Sequence, residues 1–461
     1  MQAPFDIAAD LDTPVSAYMK LKALEPRFLL ESVEGGERLA RYSFLGFGDS
    51  LDVRLDADGL KTGNTVVARP TSKTAYLDAL RAALREVPAP QPAVEGLPFS
   101  GGLVGVSGYD VVRLFERLPD APTAPADLPE AAFCATTSAL VFDHLTRRVA
   151  LLHEGPDAER AALRKEVIKL LRGAVPANGN AAALSVPAAG QTASQFTERV
   201  EACKEYIAAG DIFQIVISVL FNGRTSVPAF EVYRALRLLN PSPYMFFIEF
   251  GDLKVVGSSP EALVKLNGSS ASLRPIAGTL PRGQTRAADL ENERALLADP
   301  KESAEHVMLV DLARNDLGRV APPGTITVEP YRAIERYSHV MHIVSGVKGE
   351  LAADHDAFDL FAACFPAGTL VGAPKVRAMQ IIDELEPTGR GLYGGTAGYF
   401  GAGGDMDQAI TIRTLVFSGD EYSFQAGAGI VADSVPQKEF DEVLAKSAIL
   451  KRALEIAGEG L

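Results

Sequence analysis

The chain of 461 residues is 47% hydrophobic and 23% charged, which are globular proportions that exclude a disordered or fibrous protein. A chain of this length can bury a large core without disulfide bonds. Its 45 Lys and Arg residues against 59 Asp and Glu residues give a formal net charge of −14. Because this charge repels polyanions, we expect no nucleic-acid partner.

The cysteines and the N-terminus indicate the compartment. Cys134, Cys203 and Cys364 are widely spaced and form no C-x-x-C pair, which fits neither a disulfide framework nor a zinc ribbon. Residues 1–12 are acidic where a secretory signal would be basic and then apolar. The longest uncharged apolar stretch outside the linker described below, residues 360–374, is too short to span a bilayer. We therefore expect a cytoplasmic protein with no membrane partner.

Two segments break the chain. A helix is predicted for residues 76–86, and the Pro-rich residues 88–98 after it are interpreted as a loop. Residues 174–197 carry no charge and are rich in Ala, Pro, Gly, Asn and Ser, so they can neither pack a core nor hold a helix strongly. They are predicted to be a linker between an N-terminal region, residues 1–173, and a C-terminal region, residues 198–461.

Strand-like and helical runs alternate after the linker. Residues 244–250, 409–417 and 422–426 are predicted strands. Turn sequences at residues 401–405 and 418–420 join successive strands directly, as in β-hairpins. Neighbouring strands should therefore be antiparallel, which favours a mixed α and β protein over a doubly wound parallel sheet.

A first acidic helix is predicted to begin with Asp299 as N-cap and Pro300 at the first helical position. It should run to about Leu317. Glu302 and Glu305 then lie on one face of this helix, because residues three apart are neighbours on a helix surface.

A second acidic helix is predicted near Ser434, where the S-x-x-Q sequence resembles a capping box. It places Glu439, Glu442 and Lys446 on one stripe. If the two acidic stripes face each other, they form an oxygen cluster suited to Mg²⁺. Glu-x-x-Glu near a helix N-terminus is also typical of a solvated face, so both interpretations stay open.

Three further features are candidates for ligand contacts. A strand over residues 409–417 would make Arg413 half-buried, where it would pair with a neighbouring carboxylate or bind a substrate carboxylate. Gly427 and Gly429 match G-x-G-x-x-A, but the next helix begins too late for a dinucleotide site. These glycines would instead allow close approach of a ligand or a strand. Among the six histidines, His342 is a candidate proton donor near neutral pH.

Five segments resemble motifs of the chorismate-utilising enzymes, most closely those of the anthranilate synthase component I family. They are residues 274–279 (RPIAGT), 304–316 (AEHVMLVDLARND), 336–342 (RYSHVMH), 365–369 (FPAGT) and 425–434 (QAGAGIVADS). The resemblance spans about residues 29–453. It implies an α+β fold in which two large antiparallel sheets pack as a sandwich with helices outside.

The resemblance also implies site residues. Glu305 and Glu442 would hold Mg²⁺ against the ring carboxylate of chorismate, with Glu302 and Glu439 next to the metal, partly through water. The substrate-binding residues implied are Tyr393, Arg413, Gly427, Gly429, Lys446, Gly368 and Thr369. The catalytic residues implied are His342 and Glu261, with Thr279 and Gln214 as candidates for contact with ammonia.

The implied reaction adds ammonia at C2 of chorismate as the C4 hydroxyl leaves, and then eliminates pyruvate to give anthranilate in tryptophan biosynthesis. Gln214 stands where isochorismate and salicylate synthases have a lysine base, which disfavours addition of water. Ala277 stands where aminodeoxychorismate synthase usually has a nucleophilic lysine. The alternatives are that enzyme and a non-catalytic scaffold that binds a glutaminase or tryptophan.

Two partners follow from the same resemblance. None of the three cysteines lies in a G-x-C-x-G nucleophile turn, so ammonia from glutamine would require a separate glutamine amidotransferase subunit. Residues 29–32 and 240–245 resemble the site for feedback inhibition by tryptophan. The residues predicted to bind tryptophan are Glu31, Ser32, Pro243, Tyr244 and Met245.

Overall fold

The computed structural model describes residues 4–32, 41–87, 90–119, 122, 128–176, 183–337 and 340–461. Ten α-helices lie in these ranges: α1 Pro14–Lys20, α2 Lys73–Glu86, α3 Asp157–Leu171, α4 Ala193–Ala208, α5 Ala229–Leu239, α6 Arg286–Ala298, α7 Pro300–Gly318, α8 Ala357–Cys364, α9 Lys375–Leu385 and α10 Pro436–Glu459. Short 3₁₀ turns cover Lys22–Leu24, Tyr109–Leu114 and Gly368–Leu370. None of the helices in this part of the chain combines the length and apolar character needed to cross a bilayer.

The same ranges contain 24 strands: β1 Ile7–Ala8, β2 Pro26–Glu31, β3 Tyr42–Asp56, β4 Gly59–Thr62, β5 Thr65–Val67, β6 Gly102–Ser107, β7 Ala131–Asp143, β8 Arg148–His153, β9 Ala188–Ala189, β10 Gln214–Arg224, β11 Tyr244–Phe250, β12 Leu253–Ser259, β13 Ala262–Asn267, β14 Ser270–Leu273, β15 Ile276–Pro281, β16 Thr327–Val328, β17 Ala333–Arg336, β18 Val340–Val344, β19 Val347–Glu350, β20 Gly372–Ala373, β21 Thr396–Gly401, β22 Met406–Ile410, β23 Thr414–Ser418 and β24 Glu421–Ile430. Twenty-one of them are linked by hydrogen bonds into one branched sheet, and β15, β18 and β17 form a second. The predicted hairpins join β21 to β22 and β23 to β24 in antiparallel pairs. The prediction of an antiparallel α+β fold is confirmed.

The large sheet carries a hydrophobic core on each face. Along β11, Phe246 belongs to one core and its neighbour Phe247 to the other, as the alternation of side chains in a strand requires. The core with Phe246 contains strand and loop residues, and no helix residue among those described. The core with Phe247 also contains residues of helices such as α5 and α10. Sheet therefore packs on sheet at the first core, and helices cover the second.

Strands of the N-terminal region pair with strands of the C-terminal region. Leu29 of β2 lies opposite Phe247 of β11, and Gly105 of β6 lies opposite Gly398 of β21. The predicted division into residues 1–173 and 198–461 stays a prediction, and the sheet runs across it.

The predicted linker is partly structured. Its residues 177–182 lie outside the described residues, but Ala188–Ala189 pairs with β10. The expectation that this segment can neither pack a core nor hold a helix strongly is wrong for its last residues, where α4 begins and Phe196 is buried. Thr192 and Gln195 form a capping box that satisfies two backbone N–H groups at this helix start.

The two acidic helices lie where they were predicted, but only one has the predicted cap. The Asp299 side chain accepts hydrogen bonds from the N–H groups of Lys301 and Glu302 at the start of α7. At the start of α10 the N-cap is Val435, and the predicted capping box is wrong. The Ser434 hydroxyl instead accepts a hydrogen bond from the N–H of Val431, 3.1 Å away.

The strand predicted over residues 409–417 is interrupted. β22 pairs with β13 and β21, whereas β23 pairs with β12 and β24, so the chain changes partners between them. Arg413 lies in this break with a φ of 49°, a left-handed conformation that is rare for arginine. Its side chain therefore does not follow the strand alternation that the sequence suggested.

Candidate active site

Glu261 follows β12 and is held by its backbone and by its carboxyl group. Its carbonyl accepts a hydrogen bond from the N–H of Ile410 at 3.0 Å. The Thr369 hydroxyl donates to Oε1 of Glu261 at 3.1 Å, which favours the ionised form. Burial outweighs this bond and raises the pKa of Glu261 to about 7. The carboxyl group can therefore donate a proton near neutral pH.

Gly368 allows Thr369 to approach α7 closely. A Cβ on Gly368 would lie 1.8 Å from Cδ2 of Leu312, a residue of α7. Any larger residue at Gly368, where the 3₁₀ turn begins, would therefore have to displace the Leu312 side chain. This close contact places the hydrogen bond between Thr369 and Glu261 beside the first acidic helix.

His342 lies on β18, the central strand of the three-stranded sheet, with Thr279 of β15 directly opposite. Its Nδ1 is 3.0 Å from the carbonyl oxygen of Gly278 and 3.0 Å from the Thr279 hydroxyl. Because a carbonyl oxygen only accepts, Nδ1 carries the hydrogen and Nε2 has the lone pair in the neutral ring. Burial lowers the pKa of His342, and the nearby Arg413 charge lowers it further. The neutral ring has its lone pair on Nε2 and can accept a proton there, whereas the sequence suggested a donor.

The carboxylates of α7 and α10 affect one another. Burial raises the pKa of Glu305, and the charges of Glu302 and Glu442 raise it further. Lys446 forms an ion pair with Glu442 at 2.6 Å. Glu439 lies one turn earlier on α10 and is partly exposed. The two acidic stripes therefore contribute to one region of negative potential.

The donor chemistry of this region suits a hard cation, because carboxylate oxygens are the ligands that Mg²⁺ prefers. In the described ranges, however, no three Asp, Glu, His or Cys side chains are placed to hold a metal ion. The carboxylates of α7 and α10 would have to move closer together to bind an ion. The predicted Mg²⁺ site therefore stays a prediction.

Gly427 and Gly429 of β24 lie close to two predicted site residues, Tyr393 and Gln214. A Cβ on Gly427 would be 2.6 Å from the Tyr393 hydroxyl, and one on Gly429 would be 2.9 Å from Nε2 of Gln214. The missing side chains therefore leave room for Tyr393 and Gln214. Lys446 donates to the carbonyl oxygen of Gly427 at 3.1 Å, which links this strand to the carboxylates of α10.

A close approach at Gly278 joins His342 to the acidic helices. A Cβ on Gly278 would lie 3.0 Å from Oε2 of Glu302. The carbonyl of the same glycine holds Nδ1 of His342. His342, the predicted catalytic histidine, and Glu302, predicted to lie next to the metal, are thus both close to Gly278.

Arg413 reaches the site from the break between β22 and β23. Its Nη1 is 3.5 Å from Oδ1 of Asn240, and its carbonyl oxygen accepts a hydrogen bond from the N–H of Ser258. Its charge acts on His342. This location agrees with contact to a substrate carboxylate, one of the two interpretations that the sequence left open.

Arg390 is a supporting residue that the sequence did not single out. It is buried, pairs with Glu386 at 2.8 Å and donates to the carbonyl oxygens of Leu370 and Val216. Its guanidinium lies 5.7 Å from the centre of the Tyr393 ring. Arg390 therefore ties together the 3₁₀ turn, β10 and Tyr393. Opposite charges four residues apart were the only signal, and they do not reveal burial.

A cavity of about 470 Å³ lies where β2 meets β11, and we call it the large cavity. All residues predicted to bind tryptophan line it: Glu31, Ser32, Pro243, Tyr244 and Met245. Glu31 is fixed by Tyr233, whose hydroxyl donates to it, and by Arg237 at 3.0 Å. The volume is that of a small-molecule site.

Comparison with known proteins identifies the family. The sequence model of the chorismate binding enzyme family matches residues 25–452, nearly the whole chain. The chain belongs to the chorismate binding enzyme family. The predicted resemblance is thereby confirmed, and the antiparallel sheet with its neighbouring acidic helices is this family member's architecture.

Individual relatives in the chorismate binding enzyme family are similar over nearly their full length. Anthranilate synthase component 1 of Acetivibrio thermocellus is 41% identical, with 98% of this chain and 95% of the relative aligned. The protein of the same name from Streptomyces coelicolor is 46% identical, with coverage of 97% and 88%. The crystal structure of anthranilate synthase component I from Streptococcus pneumoniae is 34% identical, with a TM-score of 0.81 and coverage of 98% and 100%.

Proposed function

We propose that this chain is the large subunit of anthranilate synthase, which converts chorismate and ammonia to anthranilate and pyruvate. Similarity over nearly the full length of anthranilate synthase component 1 from several organisms supports this assignment. The structural observation that carries it is a buried acid, Glu261, whose pKa is raised to about 7 and which accepts a hydrogen bond from Thr369, together with His342, whose Nδ1 is held by the carbonyl of Gly278 so that Nε2 has the lone pair. Amination with loss of water needs a proton donor, and aromatisation needs a proton acceptor.

The proposed mechanism assigns a task to each group. Glu261 donates a proton to the departing C4 hydroxyl as ammonia adds at C2, and the ammonium group so formed loses a proton that restores the Glu261 acid. Nε2 of His342 then accepts the proton lost from C2 as the bond between the ring and the enolpyruvyl oxygen breaks, and the released enolpyruvate takes up this proton at its methylene carbon to become pyruvate. Arg413 and Lys446 bind the enolpyruvyl carboxylate and hold the substrate in one orientation, so that attack and departure occur in a fixed geometry.

We propose that Glu305 and Glu442 hold Mg²⁺, with Glu302 and Glu439 next to it through water. The support is the raised pKa of Glu305, since a cation would relieve the repulsion from Glu302 and Glu442. When bound, the ion would neutralise and orient the ring carboxylate of chorismate.

The choice of nucleophile rests on two side chains. Gln214 is buried, with its amide beside Gly429, and it cannot act as the base that would activate water. Ala277 is buried on β15 and offers no nucleophile. Both features support ammonia as the attacking group and an aromatic product.

We also propose two partners and a location. A glutamine amidotransferase subunit would supply ammonia, in keeping with the designation "component 1" of the relatives. Tryptophan would bind in the large cavity as a feedback inhibitor. The buried free thiols Cys203 and Cys364 suit a reducing, cytoplasmic location.

The test is to mix the purified chain with chorismate, Mg²⁺ and an ammonium salt and to separate the products by chromatography with fluorescence detection. We expect anthranilate and pyruvate in equal amounts, and none from Glu261→Gln. The chain contains no tryptophan, which keeps the fluorescence background low. Aminodeoxychorismate as the product, or no turnover by folded protein, would overturn the assignment.

A further inference from the structure

A second group of side chains contacts His342 from β17 and the residue that follows it. Glu335 of β17 lies directly opposite His342 in the strand register, so both side chains are on the same face of the sheet. Tyr337 follows the strand, and its ring packs edge-on against the imidazole with the ring centres 5.6 Å apart. His342 is therefore flanked by Thr279 on one neighbouring strand and by Glu335 and Tyr337 on the other side.

Tyr337 is itself fixed at its side chain and its backbone. Its hydroxyl donates to Oε2 of Glu335 at 3.2 Å, and Glu335 is ion-paired with Arg274. Its N–H donates to the carbonyl oxygen of Val340 at 2.8 Å, and its carbonyl accepts from Arg282 at 2.7 Å. A ring held in this way can restrain whatever packs against it.

The imidazole needs such a restraint. The contacts of Nδ1 with Gly278 and Thr279 fix one point of the ring, but the ring can still tilt about that point. Tilting moves Nε2, the atom that accepts the proton, because it lies on the far side of the ring. An edge-on aromatic contact limits this motion and is itself favourable.

We propose that Tyr337 is a positioning residue for His342, and that Glu335 and Arg274 hold Tyr337 in place for this purpose. This inference rests on the proposed function, because it concerns the residue to which that function assigns proton acceptance. Tyr337 acts through His342 and does not itself contact the reacting atoms.

The kinetic test compares Tyr337→Leu, which removes the ring, with Tyr337→Phe, which keeps the ring and loses the hydroxyl. Tyr337→Leu should lower kcat about 10-fold or more, because a misplaced imidazole loses part of the rate acceleration that an acid–base group provides. The KM for chorismate should change less than about 2-fold. Tyr337→Phe, which keeps the ring but loses its bond to Glu335, should lower kcat by less than Tyr337→Leu does. Tyr331→Leu is the matched control, because Tyr331 is 54% exposed. Arg274 and Glu335 also line the large cavity, which is the proposed tryptophan site. Tryptophan is therefore left out of this assay.

The double variant separates positioning from a purely structural role. In a His342→Gln background, Tyr337→Leu should cause no further loss of kcat, because its effect passes through the missing imidazole. If Tyr337→Leu lowers kcat by the same factor in the His342→Gln background as in the wild type, the proposal is overturned. A Tyr337→Leu enzyme with unchanged kcat, or one whose KM rises as much as kcat falls, would also overturn it.

A measurement without turnover keeps the inference independent of the proposed activity. The chain has six histidines, so the ring signals of His342 can be assigned by comparing nitrogen-labelled wild type with His342→Gln. Tyr337→Leu should shift and broaden the His342 ring signals, and Tyr331→Leu should leave them unchanged. Unchanged signals in Tyr337→Leu would overturn the proposal whether or not the protein turns over chorismate. Absence of wild-type turnover would overturn the proposed function alone.

Discussion

At the scale of single residues, burial shifts the pKa values of the groups in the site. It disfavours the charged form of each group, so it raises the pKa of Glu261 and lowers the pKa of His342. These directions agree with the proposed roles of Glu261 as proton donor and His342 as proton acceptor. The histidine is oriented by a backbone carbonyl, and the carboxyl group is oriented by a threonine hydroxyl.

The first prediction concerns pH. The proposed donor is the protonated carboxyl of Glu261, so kcat at saturating chorismate and ammonia should fall as pH rises through about 7. Thr369→Val removes a hydrogen bond that favours the ionised form, so this alkaline limb should move to higher pH. The measurement is kcat against pH for both proteins. Thr325→Val, whose hydroxyl bonds the carbonyl of Pro322, is the control and should leave the limb in place. An unmoved limb in Thr369→Val would contradict the role of this bond.

At the scale of elements, the site is assembled from segments far apart in the sequence. Helix α7 contributes Glu302 and Glu305, and α10 contributes Glu442 and Lys446. The caps of both helices are local features, and one of the two was predicted correctly. That the acidic stripes act on each other depends on how both helices pack against the sheet, which no local pattern specifies.

The second prediction tests the metal site proposed for the carboxylates of α7 and α10. Glu305→Gln and Glu442→Gln should each abolish Mg²⁺-dependent turnover and weaken Mg²⁺ binding measured by calorimetry, because each removes a proposed ligand. Glu455→Gln is the control, since Glu455 lies on α10 as well but is exposed and paired with Arg452. Full Mg²⁺ dependence in either test variant would contradict the proposed metal site.

The third prediction concerns the contact between the 3₁₀ turn and α7. Gly368→Ala should lower the free energy of unfolding by about 1–3 kcal/mol, since its methyl group would overlap Leu312. Gly403→Ala should be nearly neutral, because nothing lies within 4 Å of the added carbon. Chemical denaturation measures both.

Leu312 provides the reciprocal test of that contact. The double variant Gly368→Ala with Leu312→Ala should lose less stability than the sum of the two single variants, because the second substitution makes room for the first. Strict additivity would show that Gly368 is not required by its contact with α7.

At the scale of the whole molecule, one continuous sheet joins the two predicted regions. The pairing of β2 with β11 brings Ser32 and Tyr244, more than two hundred positions apart in sequence, to the wall of the large cavity. Leu273 and Arg274 line this cavity and also a smaller one beside Glu261. A ligand in the large cavity would therefore touch residues that border the proposed catalytic acid, which gives the proposed feedback inhibition by tryptophan a physical route.

The fourth prediction tests this cavity. Ser32→Leu should fill part of it, so tryptophan should inhibit at least about 10-fold more weakly, while turnover of chorismate without tryptophan is retained. The fluorescence of added tryptophan reports binding directly, because the chain contains none of its own. Ser194→Leu, at an exposed position on α4, is the control. Unaltered inhibition of Ser32→Leu would place the tryptophan site elsewhere.

Local sequence patterns predicted some elements well. The start of α7 was predictable because Asp299 and Pro300 act within one turn of the chain. The hairpins between β21 and β22 and between β23 and β24 were predictable for the same reason. The strand over residues 409–417 was not, because its interruption comes from a change of pairing partners that are distant in sequence.

The sequence by itself determined the family of this protein and the antiparallel α+β class, because long motifs and hairpin turns are properties of contiguous residues. It also named candidate site residues, whose roles stay predictions. Only the tertiary structure decided that Thr369 bonds Glu261, that Gly278 orients His342, and that Arg413 leaves its strand. The physical reason is that pKa values, tautomers and close approaches depend on burial and on neighbours that folding brings together.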